Sequence, residues 1–166
     1  MPRLCILICG NPSRGDDALG PLIYDSLASW PDAQARFKLV ADFQLQVEHA
    51  VDLLDSELVL FIDASVSCAA PYQFSRLRPS SEVGYTTHVM SPAAVLEVYR
   101  QVYGQEPPPS YLLTVRGESF VLGEGLSPAA AANMEAALAY LERLCDRPDS
   151  SVWTEYCNEI EDAHGT

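Results

Sequence analysis

Six apolar residues stand in an unbroken row, Leu4–Cys9, and are stopped by Gly10-Asn11-Pro12. A run this short, bounded by turn residues and with no polar alternation, reads as a strand buried on both faces, which belongs inside a parallel sheet covered by helices. Beyond the turn, Asp16 and Asp17 precede residues 18–29, where Leu19, Leu22, Ile23, Ser26 and Leu27 recur at helical spacing. The chain therefore opens as strand, loop and helix, with the aspartates at the position of helix caps.

The alternation continues with a second strand at 36–41, a short helix at 47–54 and a third strand at 57–63. Strands alternating with helices in this way build a parallel α/β sheet. Only eight residues, 64–71, separate the third strand from the next candidate at 72–78. A parallel crossover needs about a dozen or more, so the fourth strand is expected to run antiparallel. Ser91-Pro92 opens a helix to 103, residues 110–115 form a fifth strand, and Ser127-Pro128 opens a long alanine-rich helix to 145. Proline sits where a first helical turn tolerates it. The expected fold is a three-layer α/β/α sandwich around a five-stranded mixed sheet.

A chain of 166 residues that is 48% apolar and 20% charged is suited to one folded domain rather than to a disordered acidic polymer. Its 23 acidic residues against 10 basic ones give a net charge of −13. Lys38 is the one lysine and the arginines are scattered, so the basic stripe of a nucleic-acid surface is lacking. No run approaches the roughly 20 apolar residues of a membrane helix, and Leu4–Cys9 is too short for a signal-peptide core. A cytoplasmic protein without nucleic-acid or membrane partners is expected. Cys5, Cys9, Cys68, Cys145 and Cys157 are odd in number and include no Cys-x-x-Cys, which favours buried free thiols over disulfides or a zinc ribbon. The folded domain is expected over 1–145. Residues 146–166 read as an acidic tail, where six acids against Arg147 leave −5; Trp153 and Tyr156 could dock it, but a partly ordered terminus is the simpler expectation.

Ligands of open α/β sheets sit outside the carboxyl ends of the strands. The polar residues just past strands one and three are acidic: Asp16 and Asp17 after the first, Asp63 at the end of the third. An ionised aspartate at the end of a buried strand is costly unless it is paired, hydrogen-bonded or bound to a metal. The loop 10–15 matches neither G-x-G-x-x-G nor G-x-x-x-x-G-K-[ST], and two carboxylates at the helix start would repel a pyrophosphate. Of the three histidines, His164 lies in the tail and His49 in the short second helix, both read as surface residues. His88 lies in a polar stretch just ahead of a helix, where a loop can deliver a side chain to the crevice. Asp17, Asp63 and His88 together suit a divalent first-row metal with open positions, whereas capping remains the plain alternative for the aspartates. No His-Glu-x-x-His, no Gly-x-Ser-x-Gly elbow and no cysteine with a neighbouring histidine supports another hydrolytic scheme.

The run Leu7-Ile8-Cys9-Gly10-Asn11-Pro12-Ser13-Arg14-Gly15-Asp16-Asp17-Ala18-Leu19-Gly20 resembles the N-terminal signature of the hydrogenase maturation endopeptidases, which remove a C-terminal extension from the large subunit of nickel-iron hydrogenases. The likeness continues through Phe61-Ile62-Asp63-Ala64, His88, Arg116-Gly117-Glu118 and Gly123-Glu124-Gly125-Leu126-Ser127-Pro128, and spans residues 3–145. Within that family the loop looks most like the branch serving bidirectional, NAD-linked hydrogenases. Ile8 departs from the pattern, standing where the family often has a glycine.

The resemblance implies an α/β/α sandwich with one antiparallel strand. It implies that Asp17, Asp63 and His88 contact metal, with Asp16 beside them, and that the enzyme holds no permanent cofactor. The nickel would arrive in the precursor's cysteine-ligated site, where oxygen and imidazole groups can meet it without extracting it. The expected activity is endopeptidase cleavage of the nickel-loaded large-subunit precursor by Asp17, Asp63, His88 and Asp16, with either nickel or Asp16 activating the water. Two other functions stay open: a hydrolase with its own bound divalent ion, and a non-catalytic nickel-sensing chaperone of the same subunit. Gln44-Leu45-Gln46-Val47-Glu48 should line the crevice and help dock the precursor, or else form a helix cap with an apolar staple.

Overall fold

The computed structural model describes residues 3–81 and 90–164. Strand β1 spans Leu4–Cys9 and leads through a 3-10 turn, Gly15–Ala18, into helix α1, Leu19–Ala28. A short helix α2, Ala33–Arg36, precedes β2, Phe37–Asp42, and the helix of the next crossover shortens to α3, His49–Asp52. Then come β3, Leu58–Ser65, β4, Tyr72–Leu77, α4, Pro92–Tyr103, β5, Ser110–Arg116, α5, Pro128–Asp146, and α6, Ser150–His164. The sheet order is β2-β1-β3-β5-β4, with every neighbouring pair parallel except β4 and β5. The short connection, residues 66–71 in the structure, does return the fourth strand antiparallel, at an edge of the sheet.

Both faces of the sheet are covered, as the unbroken apolar runs required. Leu4, Ile6 and Ile8 of β1, with Leu58, Leu60 and Ile62 of β3, pack on one side against Leu19, Ile23 and Leu27 of α1 and Leu141 and Leu144 of α5. The alternate residues Cys5, Leu7, Val59 and Phe61 face Val95, Leu96 and Tyr99 of α4 on the other. Each full burial of such a side chain is worth about 1.5–3 kcal/mol. The two long helices begin as their sequences indicate. Ser91 caps α4 by accepting from Ala94 N at 3.1 Å, Ser127 caps α5 by accepting from Ala130 N at 3.1 Å, and proline follows each cap.

Three local expectations are corrected. Asp16 and Asp17 do not cap α1 but lie inside the 3-10 turn that precedes it. His49 is not a surface residue. It is 6% exposed, accepts from Gln46 N at 2.8 Å through Nδ1, and sets Nε2 3.4 Å from an oxygen of Asp42. The acidic segment after 146 contributes a docked helix: Trp153 is fully buried, and its indole N–H donates to the carbonyls of Leu144 and Arg147, both at 3.0 Å. Tyr111 of β5 anchors the same helix by donating to Ser150 O at 2.8 Å. Its acids hide this role, because the polar face of an amphipathic helix dominates the composition. All five cysteines are free and buried, as expected.

Ile8 does not hold α1 away from the sheet. It is a core residue, 2% exposed, and the close approach is made by Gly20, where any Cβ would collide with the carbonyl of Cys9.

Candidate active site

The in-register pairing of β1 with β3 sets Ile8 opposite Ile62, so Asp63 comes level with Cys9 at the carboxyl edge of the sheet. Cys9 in turn pairs with Asp42 at the end of β2. The loop after β1 folds back over this edge and holds Asp17 there, with Asn11 N donating to Asp17 Oδ2 at 2.8 Å. On Asp63, Oδ1 accepts from Ala64 N at 2.9 Å. Each carboxylate is thereby oriented by one backbone amide, and among the described residues its second oxygen has no hydrogen-bond partner.

These groups line a crevice of about 440 Å³. Cys9, Asp17 and Asp63 line it with Phe43, Gln44 and Leu45, and Arg14, Phe120, Met90 and Pro92 are also among its lining residues. The expectation that Gln44 and Leu45 reach the crevice holds. Glu48 precedes α3 without a side-chain cap. The aromatic and basic members, Phe43, Arg14 and Phe120, carried no recognisable signal apart from the position of Arg14 in the first loop.

Burial pushes the Asp63 carboxyl up to about 7, with Asp17 adding to the rise and the Ala64 N–H opposing it. A carboxyl poised at neutrality beside a second carboxylate can exchange a proton with water, and would lose it to water when a cation arrives. The thiol of Cys9 is driven the other way from reactivity: burial first, then Asp63, Asp42 and Asp17, raise it to about 12. It stays neutral and is no thiolate nucleophile.

Asp16 is turned away from this crevice. Its carboxylate is 1% exposed and accepts from Glu118 N at 2.7 Å, Ser119 N at 3.4 Å, Ser127 N at 2.7 Å and Ser127 Oγ at 2.8 Å. Burial alone would raise its pKa, but the donors of Ser127, Glu118 and Ser119 outweigh it and hold the group below the usual carboxylate value. Gly117 makes room for this clamp, since a Cβ there would stand 2.8 Å from that of Asp16. The segments Arg116-Gly117-Glu118 and Leu126-Ser127-Pro128 thus meet at Asp16. Asp17 and Asp63 are brought together as expected, Asp16 is not brought with them, and His88 lies outside the described residues. Among those residues no three His, Cys, Asp or Glu side chains stand close enough to hold a metal ion, which leaves the two carboxylates as a partial set.

The five-stranded mixed sheet with helices on both faces is similar in fold to solved hydrogenase maturation proteases. Over 87% of its length the chain is similar to the hydrogenase maturating endopeptidase HybD from E. coli, with 27% identity, a TM-score of 0.65 and 93% of that chain covered. It is also similar to the hydrogenase 2 maturation peptidase of a Thaumarchaeota archaeon, with 25% identity and a TM-score of 0.58 over 84% of this chain and 95% of that one. The NiFe hydrogenase maturation protease HycI from Thermococcus kodakarensis shares the fold at 21% identity and a TM-score of 0.65, over 88% of this chain and 94% of that one. No family model and no curated protein matches the sequence. Among the described residues no helix is long and apolar enough to cross a membrane.

Proposed function

We propose that this chain is an endopeptidase that removes the C-terminal extension of the large-subunit precursor of a NiFe hydrogenase after nickel has been inserted. The reading rests above all on the pair Asp17 and Asp63, set at the carboxyl edge of a fold shared with endopeptidases of hydrogenase maturation. The likeness of residues 10–17 to the branch that serves bidirectional, NAD-linked hydrogenases makes such a hydrogenase the proposed partner.

In this reading Asp17, Asp63 and His88 meet the open side of the nickel that the precursor carries, and the enzyme holds no metal of its own. The poised carboxyl of Asp63 supplies the discrimination. A divalent cation favours the ionised form and expels the proton, whereas a precursor without nickel leaves a buried, partly protonated acid next to Asp17. Docking also fixes the peptide bond beside a water held at the same edge, so positioning provides much of the rate. Nickel polarises that water or the carbonyl. Asp16, saturated by four donors, shapes the loop that presents Asp17 and is assigned no part in moving protons.

The test is incubation of the purified protein with nickel-loaded and nickel-free precursor, followed by mass measurement of the large subunit. Cleavage of the loaded form alone is expected, with activity lost in Asp17→Ala, Asp63→Ala and His88→Ala. Equal cleavage of the nickel-free form overturns nickel recognition, and full activity in all three variants overturns the site. Binding without a change of mass marks a chaperone. A stoichiometric ion in the purified protein marks a hydrolase with its own metal.

A further inference from the structure

The crevice that gathers Asp17 and Asp63 also contains a guanidinium. Arg14 lines it and is exposed, yet among the described residues its side chain makes no ion pair and no hydrogen bond. In a chain of net charge −13 an arginine that shares a crevice with two carboxylates and bonds to neither has five donors free for something else.

The backbone beneath it is braced. Arg14 N donates to Asn11 O at 3.1 Å, Asp17 N donates to Arg14 O at 3.0 Å, and Arg14 forms an isolated antiparallel bridge with Leu122. On either side, Gly123 N donates to Ser13 O at 2.8 Å and Gly15 N to Glu124 O at 3.1 Å. The buried clamp of Asp16 locks the same two loops together. The turn thereby fixes the point at which the Arg14 side chain leaves the backbone beside the crevice.

We infer that Arg14 is a catalytic residue that receives the scissile carbonyl oxygen and stabilises the oxyanion formed there. The inference rests on the endopeptidase reading above. In the first step the water oxygen bonds to the carbonyl carbon, the π pair moves onto the carbonyl oxygen, and the attacking water passes a proton to a neighbouring solvent water. In the second step the C=O bond re-forms, the C–N bond breaks, and the leaving nitrogen uses its freed electron pair to take a proton back from solvent. Arg14 keeps all its protons throughout. Near Asp17 and Asp63 alone, negative charge growing on that oxygen would be repelled. The planar fork of a guanidinium offsets the repulsion.

The experiment measures kcat and KM for nickel-loaded precursor, by mass, with wild type, Arg14→Lys and Arg14→Ala. Loss of one oxyanion donor predicts a fall in kcat of about 100- to 1000-fold for Arg14→Ala, with KM changed far less. The melting temperature should stay unchanged, because the side chain is exposed and unbonded. Added guanidinium ion should restore part of the lost kcat to Arg14→Ala, and Arg14→Lys should fall between the two, keeping the charge but not the fork. Unchanged kcat in Arg14→Ala, a loss confined to KM, or no rescue by guanidinium overturns the inference while leaving the endopeptidase intact. Failure of the wild type to cut the loaded precursor removes the endopeptidase reading itself.

Discussion

Asp16 and Ser127, 111 residues apart in the chain, are joined twice: Ser127 N donates to Asp16 Oδ1 at 2.7 Å and Ser127 Oγ to Asp16 Oδ2 at 2.8 Å. Ser127 is also the cap of α5, so one buried carboxylate ties the turn after β1 to the start of the last sandwich helix. Asp17, the next residue, faces the crevice instead. The 3-10 turn explains the division, because three residues per turn set successive side chains about 120° apart.

Asp16→Asn tests that division. It keeps the shape but places an amide NH2 against donors, so about 3 kcal/mol of stability should be lost. The folded pKa of Asp16 is depressed, so its stabilisation is present above the ordinary value of 3.8 and is lost as pH falls through the folded pKa. Urea denaturation should therefore show the gap between wild type and variant closing as the solution is acidified. Below the variant's melting transition, kcat should stay within about tenfold of wild type; a loss as large as that of Asp17→Ala would restore Asp16 to the reacting groups.

Asp63→Asn should behave in the opposite way. The folded pKa is about 7 against 3.8, so between those values the unfolded chain releases a proton that the folded chain keeps. Folding stability then falls as pH rises, and above pH 7 the full cost is present, on the order of 4 kcal/mol. The variant should match wild type near pH 4 and exceed it in stability at pH 8, while losing cleavage. Equal stability at both pH values would mean that Asp63 carries no such burden.

Trp153→Ala removes a fully buried indole and both of its hydrogen bonds. Loss of about 3–5 kcal/mol is expected from the cavity alone. Amide exchange across α6 should quicken as well, because Trp153 seats that helix on Phe74 and Tyr111.

Gly20→Ala forces a methyl group into the carbonyl of Cys9. Overpacking of this kind costs about 1–3 kcal/mol, read as a lower denaturation midpoint with an unchanged m-value. Since Cys9 lines the crevice, a rise in KM for the precursor should accompany it.

Much of this protein is local in origin. The apolar runs of β1 and β3, the short link that turns β4 round, and the Ser-Pro starts of α4 and α5 follow from side-chain chemistry and chain length, and they determine the sandwich. They also determine that Asp63 and the loop carrying Asp16 and Asp17 start from one edge, because parallel strands end together. Tertiary structure decided what periodicity and spacing cannot carry. Which of two adjacent aspartates enters the crevice depends on donors supplied by residues 118, 119 and 127, more than a hundred positions away. The burial of His49 depends on Asp42 and on the backbone of Gln46, and the docking of α6 on Phe74 of β4, Tyr111 of β5 and the end of α5. The pKa of Asp63 was likewise illegible in sequence, since it comes from the water that the assembled sheet excludes.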